Sequence, residues 1–272
     1  MHPVLVKIGW FSIYSFGFML ALSFLAGIYL SSVRAKRLGV DPQIVLDLSV
    51  WVIIAGVVGS RLLYVAFHLD EYRNPADVFA LWQGGATLYG GLALAFIVGY
   101  GFCKKRDTGF LLMGDILSPA LALGIGLTRI GCFLSGCCYG RETSLPWGVS
   151  FPPDSPAGSF ARSLAAHEGV AAARLHPSQL YDSLLALLTF ALLLALGGRL
   201  AKRGATFGFF LLAYGVSRFI VDFFRVYEQN MRFGGGFNWN QVVSAALVVA
   251  GAYLLFFRRG GRAKRPAAKT GG

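Results

Sequence analysis

Charged residues are scarce in this chain, 14% of 272 residues against 56% hydrophobic ones. A water-soluble domain of that size would carry far more contiguous apolar surface than solvent tolerates, so the scarcity excludes a soluble globular protein and points to a bilayer. Carboxylates are rarer than bases, 13 Asp and Glu against 25 Lys and Arg, for a net charge of +12. Histidine and cysteine number four each, and the cysteines have no clustered histidine to complete a four-ligand zinc site; no metal is expected. There is no repeat of fixed period and no second soluble domain. The N-terminal apolar run is too long for a cleaved signal peptide, and its positive charges follow it rather than precede it.

What the chain does have is apolar stretches of about 20 residues, the length that crosses a bilayer, at 9–30, 44–67, 86–102, 109–128, 178–197, 205–225 and 238–257. The third is short and the sixth carries charge. They predict an all-α, polytopic membrane protein with about seven transmembrane helices. Basic residues fall on alternate connections: Arg34, Lys36 and Arg37, then Lys104, Lys105 and Arg106, then Arg199, Lys202 and Arg203, and six more in the tail from Arg258 to Lys269. Those are the cytoplasmic sides. The connection 68–85 has Asp70, Glu71 and Asp77 against Arg73 and lies outside, which puts the N-terminus outside and the C-terminus in the cytoplasm. This distribution explains the positive charge as topology; nucleic acid is not an expected partner. The organisation read from it is a membrane domain over 1–257, an outer-side loop region at 132–177 containing the Pro-rich "FPPDSPAGS", and a basic cytoplasmic tail, 258–272, beside anionic lipid.

Three arginines stand where charge is costly: Arg61, Arg129 and Arg218, all at similar depth toward the outside. In "YGVSRFIVDFFR", Tyr214, Arg218, Asp222 and Arg225 follow at steps of four, four and three, one stripe of a helix. An Arg218/Asp222 salt bridge accounts for part of this. Counting Arg61 and Arg129 as well leaves a surplus of cations, and guanidinium groups pair with phosphate by planar two-point hydrogen bonds. The anion abundant at that depth is a phospholipid headgroup, so the residues by themselves indicate a phospholipid site in membrane lipid.

The glycines of "AGVVG", "GIG" and "GGATLYGG" read first as close helix packing. Gly131, Gly136 and Gly140 of "RIGCFLSGCCYGR" recur across the membrane edge, where irregular backbone needs protein or water beside it. Cys132, Cys137 and Cys138 in the same stretch read mostly as small apolar fillers, with a disulfide from Cys132 to either neighbour left open. His68 reads as a headgroup-level side chain. "HPSQLYD" reads as a turn followed by a helix start, with Gln179 and Asp182 in its first turn for structural reasons.

With these stretches in view, the chain resembles the bacterial prolipoprotein diacylglyceryl transferases. The likeness covers about 14–241 and rests on "VGSRLLYV", "GGATLYGGLA", "TRIGCFLSGCCYGR", "HPSQLYDSLL", "YGVSRFIVDFFR" and "NWNQVVSAAL". It implies a multi-pass enzyme of the bacterial inner membrane that moves the diacylglyceryl group of phosphatidylglycerol onto the lipobox cysteine of preprolipoprotein signal peptides, releasing glycerol phosphate, with no cofactor. Arg129 and Arg218 would be the essential arginines, supported by Arg225, Asp222, Tyr214, Gly140 and Gln241. Five positions depart from the better-known pattern. Tyr89 stands where many members have the histidine proposed as base, and a phenol is a weaker base near neutrality. Phe16 replaces a tyrosine, Cys132 and Ser135 replace asparagines, and Asp222 replaces a glutamate. The same cations would suit a phospholipid transporter or flippase-like paralogue, and neighbouring cysteines a thiol–disulfide oxidoreductase.

Overall fold

A computed structural model of the chain describes residues 2–8, 11–69, 85, 87–168, 173–197, 199–200, 202–227, 232–233 and 237–257. The expected tail 258–272 and the acidic residues 70–77 lie outside the described residues. Two short antiparallel strands, β1 (Val4–Ile8) and β2 (Phe11–Tyr14), precede α1 (Ser15–Arg37) and α2 (Pro42–Phe67). Then come α3 (Leu88–Lys105), α4 (Phe110–Ser135), α5 (Pro156–Glu168), α6 (Ser178–Leu196) and α7 (Ala205–Val221). The pair β3 (Arg232–Phe233) and β4 (Phe237–Asn238) leads into α8 (Trp239–Ala252), which continues as a π-helical turn, Tyr253–Phe257. Among the described residues, five segments are long and apolar enough to cross a membrane: α1, α2, α4, α6 and α8 with its π turn. The structure is therefore that of a mostly helical membrane protein. Of the seven expected spans, α3 and α7 form as apolar helices without meeting that measure; α7 has only 17 residues.

Several expected boundaries are corrected. The first helix starts at Ser15 rather than residue 9, because Val4–Ile8 and Phe11–Tyr14 pair antiparallel and use their backbone groups there. Helix α4 continues to Ser135, so Arg129, Gly131 and Cys132 are helical and the loop region begins later than 132. That region holds a helix, α5, behind the Pro-rich turn. Its apolar face packs Ala157 and Ala161 on Phe151, Ala173 and Leu175. Helix α7 stops at Val221, and Arg225 lies outside it.

The chain forms two compact units, one centred on Ser31–Met113 and one built from Met1–Leu30 with Gly114–Lys264. In the first, Asp41 caps α2 by accepting from the Gln43 amide at 3.0 Å, with Pro42 in the first turn. Helices α2 and α3 cross at glycines. A Cβ on Gly90 would meet the Gly59 carbonyl oxygen at 2.3 Å, and one on Gly59 the Gly90 oxygen at 2.4 Å. Packing thus accounts for this part of the glycine pattern.

In the second unit, the N-terminus of α7 is closed from α4. Asp115, buried, accepts from the Gly204 amide at 2.6 Å and the Phe207 amide at 2.9 Å, which places negative charge at the positive end of the helix dipole. Helix α8 opens with a reciprocal capping box between Asn238 and Gln241. Helix α6 shows the bilayer inversion: Gln179, Asp182, Ser183 and Thr189 are buried, while Leu184, Leu188 and Leu192 are exposed. An apolar solvent permits that arrangement and water does not.

Gly90→Val should lower the thermal midpoint of the detergent-solubilised protein by several degrees, since both backbones at the crossing must part. Gly101→Ala, where nothing lies within 4 Å of the added atom, should leave it unchanged; equal midpoints for the two variants would contradict the crossing.

Candidate functional site

Helix α4 ends, α6 begins and α7 ends around one buried carboxylate. Arg129 Nε on α4 lies 3.1 Å from Asp182 Oδ2 on α6, and Arg218 Nη1 on α7 lies 3.1 Å from the same oxygen. Arg225 Nη1 reaches it at 4.0 Å. Arg218 Nη2 also pairs with Asp222 Oδ1 at 2.9 Å, the expected i, i+4 bridge. Three guanidinium groups face two carboxylates, and one positive charge is left over. The end of α7 reinforces this arrangement, with Arg218 in its last turn, where the helix dipole favours a cation.

Arg225 arrives by backbone. After α7, the Asp222–Phe224 turn brings Arg225 beside Gly140 in an antiparallel bridge. The Gly140 N–H donates to the His176 carbonyl at 3.0 Å and the Arg141 N–H to the Phe224 carbonyl at 2.7 Å. Gly140 is thus pressed between two chains, and a Cβ there would meet the His176 oxygen at 2.6 Å and the Phe224 oxygen at 2.7 Å. Tyr227 then folds back: its hydroxyl accepts from Arg218 Nη2 and donates to Asp222 Oδ1, both at 2.5 Å. Its ring lies 5.3 Å from the Arg225 guanidinium. Burial pushes the Tyr227 phenol above its usual range, which keeps the donating proton in place.

Among the buried side-chain atoms of the described residues that have no hydrogen-bond partner, two belong to this cluster, Arg225 Nε and Asp222 Oδ2. An unpaired guanidinium N–H beside surplus positive charge is an open position for an anion. Asp182 and Arg218 also line a cavity whose other walls are Ala122, Ile125, Ala186 and Phe210, with Thr189, Ser217 and Tyr214 as further polar groups. The Tyr214 ring stacks on Phe210 at 5.9 Å.

Of the expected site residues, Arg129, Arg218, Asp222, Tyr214, Arg225 and Gly140 therefore come together. The stripe holds for the first three of its four members, and Arg225 joins it from a turn. Gln241 serves the α8 capping box. Arg61 and Tyr89 belong to the other unit, where buried Arg61 donates from Nη1 to the Gly85 carbonyl at 3.0 Å and Tyr89 stands exposed in the first turn of α3. His68 closes α2, its Nδ1 2.9 Å from the Tyr64 carbonyl oxygen and its ring stacked on that of Tyr64.

Sequence reasoning missed Asp182 and Tyr227. Asp182 lies past the first turn of α6, which holds no acidic residue; a carboxylate that far into an apolar helix was the available signal. Nothing local marks Tyr227.

These features define a class: a multi-pass membrane protein with a buried arginine–carboxylate cluster that keeps net positive charge. The chain belongs to the prolipoprotein diacylglyceryl transferase family, which it matches over residues 3–257. It is 36% identical to the phosphatidylglycerol–prolipoprotein diacylglyceryl transferase of Clostridium tetani (strain Massachusetts / E88), over 83% of this chain and 86% of that one. It is 33% identical to the enzyme of the same name from Pseudoalteromonas atlantica, covering 94% and 88% of the two chains. With that of Geobacter sulfurreducens it shares 32% identity over 92% and 93%.

Removing the shared carboxylate leaves three cations with Asp222 alone, so Asp182→Asn should cost on the order of 3–5 kcal/mol of stability, measured by denaturation in detergent; an unchanged midpoint would show that the arginines do not depend on it. A second expectation concerns pH. Burial holds the His176 imidazole below its usual range, so the unfolded chain takes up the proton first as pH falls below about 6.5. Stability should therefore be full above that value and decline as pH falls through the folded pKa. His176→Gln should flatten that slope between pH 7 and 5 in thermal scans.

Proposed function

We propose that this chain transfers the diacylglyceryl group of phosphatidylglycerol to the lipobox cysteine of preprolipoproteins, forming a thioether and releasing glycerol phosphate. The observation that carries the reading is the uncompensated guanidinium charge with its open Arg225 N–H, buried in a member of this family. The phosphate of the lipid accepts from Arg129, Arg218 and Arg225, and its glyceryl carbon is attacked by the acceptor sulfur. As the C–O bond breaks, negative charge grows on the leaving phosphate, where preorganised guanidinium groups stabilise it more than they stabilise the bound lipid. Asp182, Asp222 and Tyr227 fix the directions of those guanidinium groups. Tyr214 lines the cavity beside them, Gly140 sets the height of the Arg225 backbone, and Gln241 holds the start of α8. Tyr89 and Arg61 are assigned to positioning lipid.

The chain is placed in the bacterial inner membrane with seven crossings, its N-terminus outside and its C-terminus cytoplasmic. The alternation of Lys/Arg-rich connections supports that orientation, and α3 and α7 supply the crossings beyond the five longer helices.

The test is a reconstituted assay of the purified protein with phosphatidylglycerol and a lipobox peptide, following peptide mass and glycerol phosphate. The expected result is a gain of one diacylglyceryl unit, reduced about a hundredfold or more in Arg218→Ala and Arg129→Ala. Folded protein that moves headgroups between leaflets without releasing glycerol phosphate would overturn the reading.

A further inference from the structure

Helix α4 ends in a motif that brings two particular side chains together. Gly136 takes a left-handed φ of 67°. Its N–H donates to the Phe133 carbonyl at 3.1 Å, and the Cys137 N–H donates to the Cys132 carbonyl at 3.1 Å. That pair of bonds is the Schellman closure of a helix, in which the residue just past the glycine touches a residue of the last turn, ordinarily through an apolar contact. In this chain cysteine occupies both places. The Sγ atoms of Cys132 and Cys137 lie within 4.8 Å of each other, and that of Cys138 within the same distance of both. All three are free thiols.

The turn is held from two other helices. From α5, the Ala157 N–H donates to the Gly136 carbonyl at 3.0 Å. From α6, Gln179 Nε2 donates to the Cys137 carbonyl at 2.7 Å and Ser178 Oγ to the Cys138 carbonyl at 3.0 Å. A disulfide needs Cα atoms about 4.4–6.8 Å apart. Cys137 and Cys138 are neighbours across a trans peptide, about 3.8 Å apart, too close to bond to each other without strain. Cys132 and Cys137 are already paired by backbone, and what remains is rotation of two short side chains.

We infer that Cys132 and Cys137 are a reversible disulfide site at the outer end of α4, with Cys138 left as a thiol; the outer position rests on the orientation proposed above. The oxidant is a low-molecular-weight disulfide. Cys137, partly exposed where Cys132 is buried, gives its proton to water and attacks one sulfur of the oxidant, and the first thiolate leaves. Cys132 gives up its proton and attacks the Cys137 sulfur of the mixed disulfide, and the second thiolate leaves. The two thiolates take up the two protons, and two electrons have passed from the cysteines to the oxidant. Thiol pair and disulfide are both neutral, so the surplus positive charge of the arginine cluster is the same in either state. Arg129 lies three residues before Cys132, and Gly140, which seats Arg225, three after Cys137. The bond therefore stiffens the backbone between two of the arginines.

The experiment uses the full chain in detergent, reduced and then exposed to oxidised glutathione. The intact mass should fall by two hydrogens, two of the four thiols should remain titratable, and peptide mapping should join Cys132 to Cys137. The thermal midpoint should rise by about 5 °C and return with dithiothreitol. Cys137→Ser should abolish both changes and Cys103→Ser should retain them. Four titratable thiols after the oxidant, a glutathione adduct that persists, or an internal bond that still forms in Cys137→Ser overturns the inference. A bond that leaves the midpoint unmoved overturns the stiffening. Lipid transfer is assayed on the same samples. Transfer by protein that forms no bond defeats the disulfide site and leaves the transferase reading standing, whereas a bond in protein that transfers in neither state defeats the transferase reading and supports the disulfide site alone.

Discussion

The site depends on a constraint of charge. Guanidinium groups in an apolar helix bundle repel one another without water to screen them, and Asp182 is the carboxylate that lets Arg129, Arg218 and Arg225 share one place. Its single oxygen is the focus of salt bridges from two helices and a turn, so the ends of α4, α6 and α7 are held in register by the same atom. Had the carboxylates matched the arginines one for one, the cluster would be a closed structural network. One fewer leaves it stable yet attractive to an anion.

Backbone carries the rest of the geometry. Arg225 cannot reach the cluster along α7, because the helix ends at Val221; it is delivered by a short bridge to Gly140, itself hydrogen-bonded to His176. Only a residue without a Cβ fits between those two chains. The same stretch, a few residues earlier, turns through Gly136 and Cys138 in left-handed conformations. One loop therefore sets both the third arginine and the three sulfurs, and the cation cluster and the thiol cluster are built on neighbouring atoms of a single local fold.

Much of the architecture was legible because hydropathy acts over consecutive residues. Each apolar run is its own signal, and the helices follow the runs except at their ends. Those ends shifted where backbone partners outside the run decided them: the β1–β2 pairing delays α1, and α4 continues through "RIGCFLS" because its carbonyls stay within the helix. Arg218 and Asp222 were legible as an i, i+4 pair. Asp182 was read as a helix-start preference because its partners are 36 residues or more away in the chain, and Tyr227 gave no local signal because its role consists of contacts made after the chain turns back.

The sequence by itself determined that the chain enters a membrane, where its helices run, that arginines stand at costly depth, and to which family it is similar, since each of these is a property of local composition or of contiguous motifs. Only the tertiary structure decided which carboxylate neutralises which arginine, that one positive charge and one N–H stay open, and that three cysteines share a focus. Ion pairing and sulfur convergence depend on distances of a few ångströms between separate segments. Such distances are set by helix crossings and by the strained turn after α4, and no periodicity in the chain records them.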